Sequence, residues 1–153
     1  MASEERTLII LKPDAIQRRL VGRILQTFED KGLKLVALKL TRLDAKALET
    51  HYGEHKQKPF YPSLLRFMSA GPVLLGVIAG NRAVDVVRKM MGKTFAHQAE
   101  PGTIRGDLGV SSQFNLIHGS DSPESARREI ELFFKPEELN SYEMPDARWL
   151  TDE

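Results

Sequence analysis

The sequence Asn-Leu-Ile-His-Gly-Ser-Asp-Ser-Pro-Glu, residues 115–124, lies where the last predicted strand gives way to the last predicted helix. Phe114–Ile117 is a short apolar run that predicts a strand, and the polarity changes abruptly at His118. Ser122 is a good N-cap for the helix that follows, and Pro123 suits its first position. We therefore predict that His118 lies at the end of a strand, close to a helix N-terminus whose N–H groups favour an anion.

The helix predicted after Ser122 has one apolar face, formed by Ala126, Ile130, Phe133 and Phe134. Glu129 lies on the edge of this face, where its carboxylate can reach back toward His118 and Ser120. An imidazole oriented by a hydroxyl and a carboxylate is the general arrangement of an activated histidine. An isolated histidine and glutamate would more often be a backbone-bonded strand residue and a surface helix residue. Both interpretations are open on these residues alone.

Three more strands are predicted upstream, with helices between them. The strands are Thr7–Leu11, Leu33–Leu40 and Val73–Ala79, of which the last is apolar throughout and predicted to be buried on both faces. Helical spacing predicts helices over Val21–Phe28, from the N-cap Asp44 to Tyr52, through Leu64–Phe67, and from the cap Asn81 to Met91. We expect Gly32 and Gly92 to end the first and the last of these helices.

Residues 92–113 show no convincing periodicity. A structureless segment of this length is uncommon in a compact domain, so it is either a functional loop or a segment whose elements the pattern does not reveal. The resulting order is strand, helix, strand, two short helices, strand, helix, loop, strand, helix. Two βαβ units with their middle strands joined antiparallel give this order. We therefore predict an α/β fold of the α+β sandwich type, a ferredoxin-like split βαβ architecture with a four-stranded antiparallel sheet and helices packed on it.

The length of 153 residues predicts one compact domain over residues 1–153. Its 22 basic and 21 acidic side chains give a formal net charge of +1, which argues against a protein that coats nucleic acid or binds membrane surfaces. Cysteine is absent, which excludes disulfides and thiolate metal sites. The acidic N-terminus, Met1–Arg6, lacks the apolar core of a signal peptide, and Val73–Ala79 is too short to cross a bilayer. We expect a cytoplasmic enzyme.

Two familiar phosphate-binding loops can be set aside. Gly92-Lys93-Thr94 resembles the end of a P-loop, but Val87 stands where that motif requires its first glycine. A Gly-x-Gly-x-x-Gly loop is missing from the sequence as well. The histidines at positions 51, 55 and 97 have no spacing typical of metal ligands, so we predict no protein-held metal. A nucleotide would therefore have to be bound by side chains.

Residues 115–122 and Glu129 together closely resemble the active-site signature of nucleoside diphosphate kinases, Asn-x-x-His-Gly-Ser-Asp-Ser followed by a helical glutamate. The resemblance extends along nearly the whole chain. The similar stretches are Leu11–Asp14, His51–Tyr52, Pro59–Phe60, Gly71–Val73, Pro101–Asp107 and Phe134–Leu139. The tail after Pro136 also resembles the longer form of hexameric members, which implies a homohexamer rather than a tetramer.

This resemblance implies a phosphotransferase that moves the terminal phosphoryl group of a nucleoside triphosphate, typically ATP, to a nucleoside diphosphate. The cycle would be ping-pong, through a phosphohistidine on Nδ1 of His118, with Ser120 and Glu129 holding the ring. Seven further residues match family positions: Lys12, Arg88, Thr94 and Arg105 at the phosphates, Asn115 with Lys12 at the ribose hydroxyls, Tyr52 at the transfer site and Phe60 against the base. Mg²⁺ would arrive with the nucleotide.

The residue types suit this reaction independently of the resemblance. Phosphoryl transfer depends mainly on positioning and on positive charge spread around the phosphates. A neutral imidazole, with an unperturbed pKa of about 6.5, is nucleophilic near neutral pH. Stacking on one aromatic ring does not distinguish between bases, which suits broad nucleotide use.

Three positions depart from the family pattern. Ser112 stands where an aliphatic side chain commonly closes the second face of the base, which predicts a looser grip on the base. The segment Thr94–His97 lacks the Asn-Pro pair that often follows the threonine, and Phe114 replaces a commonly polar residue. We expect the change in Thr94–His97 to affect the conformation and subunit contacts of this loop rather than the chemistry.

Other interpretations remain open on the residues taken singly. Lys12, Arg88 and Arg105 would each more often be solvated charges, and Tyr52 and Phe60 packing residues. One rival function is a catalytically silent, ferredoxin-like nucleotide-binding or regulatory module, which the joint presence of the site residues disfavours. Another is a phosphohistidine hydrolase, in which water accepts the phosphoryl group and phosphate is released steadily from ATP alone.

Overall fold

One antiparallel sheet forms the centre of the protein in a computed structural model that describes residues 4–152. Its strands are β1 (Glu5–Leu11), β2 (Lys34–Thr41), β3 (Val73–Gly80) and β4 (Ile117–Gly119), in the order β2-β3-β1-β4. The helices are α1 (Pro13–Gln17), α2 (Val21–Asp30), α3 (Ala45–His51), α4 (Tyr61–Met68), α5 (Ala83–Met91), α6 (Ile104–Leu108) and α7 (Pro123–Phe133). Met1–Ser3 of the acidic N-terminal stretch and Glu153 lie outside the described residues. The predicted ferredoxin-like fold with its four-stranded antiparallel sheet is confirmed.

The central strand β1 is buried on both faces of the sheet, and its alternate residues point to opposite sides. On one face, Leu8 and Ile10 of β1 pack with apolar side chains from α3, α4 and α7. On the other face, Ile9 and Leu11 pack with α2 and α5. All four side chains are completely buried, and each such burial stabilises the fold by about 1.5–3 kcal/mol. The prediction that Val73–Ala79 is buried on both faces is confirmed.

The register of the short strand β4 fixes the position of His118. In the antiparallel pairing with β1, His118 lies opposite Ile10, between the pairs of Gly119 with Ile9 and Ile117 with Leu11. Directly paired residues point to the same face of a sheet. The imidazole therefore shares the face of Ile10, which α3 and α7 cover.

The prediction for this strand is wrong by three residues. We expected a strand over Phe114–Ile117 that ends at His118, but β4 begins at Ile117 and has His118 at its centre. Leu116 has a positive φ of 74°, which interrupts the extended backbone, and the N–H of Ile117 donates to the carbonyl of Asn115 at 2.9 Å. The chain therefore turns at Leu116 before the strand can start.

Two of the three predicted helix caps are confirmed. The side chains of Ser122 and Asp44 accept hydrogen bonds from the third residue after each, at 3.1 and 2.7 Å. The prediction for Asn81 is wrong, because α5 begins at Ala83 and its first turn is capped from elsewhere. The carboxylate of Glu5 accepts a hydrogen bond from the N–H of Val84 at 2.8 Å. The ends of α2 and α5 carry Gly32 and Gly92 at positive φ, as predicted.

The segment that we predicted to be structureless contains two ordered elements. A 3₁₀ turn covers Ala96–Gln98, and α6 is capped by Thr103, whose hydroxyl accepts a hydrogen bond from the N–H of Gly106 at 3.0 Å. The short helix α1 was not predicted either, although Pro13 stands at its first position. Within residues 4–152, no helix is long and apolar enough to cross a membrane.

Candidate active site

A hydrogen-bonded group at the junction of β4 and α7 contains the three residues expected to form the histidine centre. The Nε2 atom of His118 lies 3.0 Å from Oε1 of Glu129, and the hydroxyl of Ser120 donates to the same oxygen at 2.7 Å. Ser120 is held in turn by the N–H of Leu8, which donates to its hydroxyl at 3.2 Å. The structure therefore brings His118, Ser120 and Glu129 together as predicted.

The charge on Glu129 determines which nitrogen of His118 carries the proton. Burial raises the pKa of the carboxyl, but hydrogen bonds from His118 and Ser120 outweigh burial, and the net result is a lowered pKa. An ionised carboxylate can only accept hydrogen bonds, so the neutral imidazole must carry its proton on Nε2. Within residues 4–152 no group is hydrogen-bonded to Nδ1 of His118, whose side chain is 22% exposed. The lone pair of Nδ1 is therefore available to an electrophile.

The end of α3 supplies two aromatic residues beside this group. The ring of His51 lies edge-on to the ring of His118, with 4.7 Å between centroids, and the ring of Tyr52 lies 4.4 Å from that of His51. Tyr52 is buried, and its pKa is raised by burial and by the charge of Glu129. This predicted residue therefore lies in the electrostatic field of the histidine centre.

His51 also belongs to this centre, although no role in it was predicted from the sequence. Its Nδ1 atom lies 3.8 Å from Oε2 of Glu129. Burial, followed by the nearby His118, lowers the pKa of His51 to about 3, so its ring is neutral. The family-like pair His51–Tyr52 was noted in the sequence, but only Tyr52 carried an implied role. The other available signal was its place at the end of a helix whose buried face is apolar.

A second group joins residues from three distant parts of the chain. The ammonium of Lys12, which follows β1, donates to the side-chain oxygen of Asn115 at 2.8 Å. The amide nitrogen of Asn115 donates in turn to the carbonyl of Thr94 at 2.9 Å. Burial, and then the charge of Arg105, lower the pKa of Lys12 to about 8. Three residues that were predicted to bind a nucleotide are thus in direct contact.

Arg105 lies at the base of this second group and is buried, unlike the solvated residue that it would be if taken singly. Its guanidinium donates to the carbonyls of Asn115, Gly92 and Ile117 at 3.1, 2.9 and 2.5 Å. These bonds tie the end of α5 to the turn before β4. A guanidinium has five N–H donors, so two remain for an anion.

Arg105 lies close enough to two other cations, Arg88 and Lys12, for the charges to act on one another. Burial and the charge of Arg88 lower the pKa of Arg105 to about 10, and Arg105 has the same effect on Lys12. Arg88, on α5, is exposed, as expected for a solvated side chain. Like charges held this close repel one another, and a bound anion would relieve that repulsion. The arrangement is therefore suited to polyphosphate.

Phe60 lies just before α4 and is 49% exposed, a high value for so large an apolar side chain. The ammonium of Lys58 lies 5.7 Å from the centre of its ring. The loop that contains Ser112 is held against the same helix, because Gln113 donates to the hydroxyl of Ser63 at 2.8 Å. Ser112 is itself exposed, and its hydroxyl lies 3.2 Å from Nδ1 of His97. Phe60 thus offers one open aromatic face.

Comparisons with known proteins agree with this geometry. The family model described as "Nucleoside diphosphate kinase" matches residues 5–139. A nucleoside diphosphate kinase from Thermomicrobium roseum is 57% identical over 146 residues, which cover 95% of this chain and 98% of that protein. Its counterpart from Methanocaldococcus jannaschii is 52% identical over 136 residues, covering 89% and 97%. Among solved structures, a halophilic nucleoside diphosphate kinase from Halobacterium salinarum in complex with CDP is 43% identical, with a TM-score of 0.95 and coverage of 98% and 100%.

Proposed function

The chain belongs to the nucleoside diphosphate kinase family, and we propose that it carries the transferred phosphoryl group on Nδ1 of His118. The protein is an enzyme, a phosphotransferase that moves the terminal phosphoryl group of a nucleoside triphosphate to a nucleoside diphosphate. One observation carries the assignment to Nδ1. The other ring nitrogen is engaged with the carboxylate of Glu129, so the lone pair is on Nδ1.

In the first half-reaction, the Nδ1 lone pair of His118 attacks the γ-phosphorus in line with the bridging oxygen to the β-phosphate. The N–P bond forms as the P–O bond breaks, and the diphosphate leaves with the electron pair. The ring becomes positively charged, and its Nε2–H donates to the carboxylate of Glu129, which stabilises that charge. In the second half-reaction, a terminal oxygen of another nucleoside diphosphate attacks the same phosphorus and the N–P bond breaks. No net proton transfer is required.

The three cations have the role of binding and neutralising the phosphates. Lys12 and Arg105 are held by fixed hydrogen bonds, so their charges are in position before a nucleotide binds. Arg88 and the Thr94 hydroxyl add contacts at the exposed side of the site. Mg²⁺ enters as part of the nucleotide substrate and neutralises phosphate charge beyond the reach of these side chains.

The remaining predicted residues bind the nucleoside or border the transfer site. Asn115, together with Lys12, is positioned for the ribose hydroxyls, because the two side chains already form one hydrogen-bonded unit. The exposed face of Phe60 stacks on the base without regard to its identity. The Tyr52 hydroxyl is buried and has no hydrogen-bond partner within residues 4–152, which leaves it free to donate to a phosphoryl oxygen.

Mass spectrometry after brief exposure to ATP tests the proposal. We expect one acid-labile phosphate per chain, on the peptide that contains His118, and chromatography of the hydrolysate should identify the Nδ1 isomer of phosphohistidine. Addition of GDP should then discharge the phosphate as GTP. Phosphate found on Nε2, or on another residue, would contradict the assignment. Steady release of inorganic phosphate without an acceptor would instead identify a hydrolase.

We also propose that the enzyme forms a homohexamer and acts in the cytoplasm. Support for assembly comes from β2, an edge strand that exposes Leu38 and Leu40, at 43% and 63% of their surfaces. Exposed apolar residues on a sheet edge commonly mark an interface. Light scattering should give a mass about six times the 17.3 kDa of one chain, and a stable monomer or dimer would refute the hexamer. Cell fractionation tests the location.

A further inference from the structure

His51, His118 and Glu129 bring three potential metal ligands together, and we name them the His51–His118–Glu129 cluster. One ligand atom from each residue lies within 4.8 Å of the other two. The closest approaches are 3.0 Å between Nε2 of His118 and Oε1 of Glu129, and 3.8 Å between Nδ1 of His51 and Oε2 of Glu129. Two imidazoles and a carboxylate are a ligand set typical of Zn²⁺. Within residues 4–152 it is the only such group.

His51 provides independent support for a ligand at this cluster. Its side chain is 2% exposed, and neither ring nitrogen has a hydrogen-bond partner within the described part of the chain. Buried polar groups usually have a partner, so two unpaired nitrogens on one buried ring are unusual. A metal ion bound to Nδ1 would satisfy one of them. The ring already points this nitrogen toward the carboxylate that would share the ion.

The distances fit a small tetrahedral cation. At Zn–N and Zn–O distances of about 2.0–2.2 Å, neighbouring ligands in a tetrahedron lie about 3.4 Å apart. The separations of 3.0 and 3.8 Å, which run to the two different oxygens of Glu129, lie on either side of that value. The three ligand atoms lie within 4.8 Å of one another, so the side chains would have to turn toward a common centre to bind the ion. The fourth position would be left to water.

A cavity gives a cation access to the cluster. It has a volume of about 280 Å³ and is lined by Thr50, His51, Arg128, Glu129, Glu131 and Leu132, from the ends of α3 and α7. Two of these residues, His51 and Glu129, belong to the cluster, so a cation in the cavity meets two of its three ligands. The carboxylate of Glu131 and the guanidinium of Arg128 have opposite effects on the entry of a cation. Both side chains are exposed, so solvent screens both charges and neither decides access.

We propose that the His51–His118–Glu129 cluster is an inhibitory binding site for Zn²⁺ or a cation of the same class. The inhibitory effect rests on the proposed role of His118. When the ion takes the Nε2 lone pair, the proton there must move through solvent to Nδ1, because a neutral imidazole keeps one proton. The nitrogen that attacks phosphorus then has no lone pair. No group is oxidised or reduced, and a chelator reverses the change.

Calorimetry with ZnCl₂ and nucleotide-free enzyme tests the site directly. We expect one Zn²⁺ per chain, and a matching loss of phosphate uptake from ATP that EDTA restores. Nucleotides bind Zn²⁺ themselves, so free Zn²⁺ must be held constant with a metal buffer in the activity assay. Absence of binding, or binding that leaves phosphate uptake unchanged, would overturn the proposal.

The variant His51→Gln locates the site. Removal of a metal ligand should weaken Zn²⁺ binding and inhibition by at least about tenfold, because even the loss of a group that only orients a ligand has an effect of that size. His97→Gln is the matched control, since it removes an exposed imidazole outside the cluster and should bind Zn²⁺ like the parent protein. Equal weakening in both variants, or in neither, would rule out the cluster.

If circular dichroism shows that His51→Gln does not fold, the parent protein still decides the question. Co²⁺ should give the intense visible absorption of a tetrahedral ion with nitrogen ligands, and Zn²⁺ should protect the partly exposed His118 from diethyl pyrocarbonate. A weak octahedral spectrum, or an unprotected His118, would contradict the site. Calorimetry without nucleotide tests the metal site, and phosphohistidine formation without zinc tests the proposed function. A failure of the metal site can therefore be distinguished from a failure of the proposed function.

Discussion

The two ends of the proposed nucleotide site differ in how firmly their side chains are held. At the histidine end, formed by His118, Ser120 and Glu129, hydrogen bonds of 3.0 and 2.7 Å converge on one buried carboxylate oxygen. At the base end, formed by Phe60 and Ser112, both side chains are exposed. The hydroxyl of Ser112 is hydrogen-bonded to Nδ1 of another exposed residue, His97.

The difference follows from what each end has to do. Bond formation at phosphorus requires one nitrogen in one protonation state, and an error of about 1 Å in position costs on the order of 100-fold in rate. Stacking on a base tolerates lateral displacement and every base identity. The rigid end is therefore built on the sheet and α7, and the tolerant end on a loop and the start of α4.

The largest effect is expected for His118→Ala. The variant removes the proposed phosphate carrier, so transfer from ATP to GDP should fall by more than about 10⁴-fold. The fold should be kept, because the imidazole lies at a partly exposed site and not in the apolar core. Nucleotide affinity, measured by calorimetry, should remain within a few-fold of that of the parent. If the variant still converted GDP to GTP at an appreciable rate, His118 would not be the phosphate carrier, and the histidine end would not be the more demanding of the two.

Glu129→Gln should have an intermediate effect on the same end. An amide has no charge to stabilise the phosphorylated ring, and it can donate as well as accept, so it no longer selects the tautomer with the proton on Nε2. We expect transfer to slow on the order of 10- to 100-fold. This effect is smaller than that of replacing the aspartate of a Ser-His-Asp triad, because the amide oxygen still accepts a hydrogen bond from Nε2. Rapid-quench measurement of phosphohistidine formation checks this. An unchanged rate would mean that Glu129 does not orient the ring.

The same variant should alter how stability depends on pH. The pKa of Glu129 is lowered in the folded protein, relative to an ordinary value of 4.5. The ionised carboxylate therefore stabilises the fold above its unfolded pKa, and this contribution is lost as the pH falls through the lower folded value. Between pH 6 and pH 3, the free energy of unfolding in urea should fall less for Glu129→Gln than for the parent. Parallel pH profiles would show that the carboxylate does not titrate differently on folding.

Local signals in the sequence were sufficient for much of the fold. The caps at Ser122 and Asp44 depend on residues three positions away, and the glycines that end α2 and α5 act through their own backbone freedom. The apolar run of β3 needs no partner to be recognised. These features were predicted correctly because sequence neighbours determine them.

Two of the errors arise where a contact between distant residues decides the local structure. Because the chain turns at Leu116, β4 starts later than predicted. The turn is held by Asp14, 102 positions away, whose carboxylate accepts a hydrogen bond from the N–H of Leu116 at 3.1 Å. The first turn of α5 is capped by Glu5, which lies 79 positions before Val84, and not by Asn81 as predicted. No pattern within a window of the sequence contains this information.

The same limit applies to the site. Lys12, Asn115 and Arg105 were selected by resemblance to a family signature, and the structure brings them into contact. His51 lies in a family-like stretch, but the resemblance implies no role for it, and its spacing from the histidines at positions 55 and 97 is not typical of metal ligands. Its neighbours are His118 and Glu129, which another strand and another helix supply.

Ser112→Val should produce the smallest effect, and it acts at the base end. An aliphatic side chain there would cover the second face of a base stacked on Phe60, and burial of one or two methyl groups is worth about 1 kcal/mol. Nucleotide affinity should therefore rise by about fivefold, with kcat nearly unchanged. Ser112→Thr, which adds a methyl group but keeps the hydroxyl that contacts His97, is the matched control and should give a smaller gain. Equal affinities in all three proteins would show that Ser112 does not border the base, whereas a large change in kcat would show that the base end is as demanding as the histidine end.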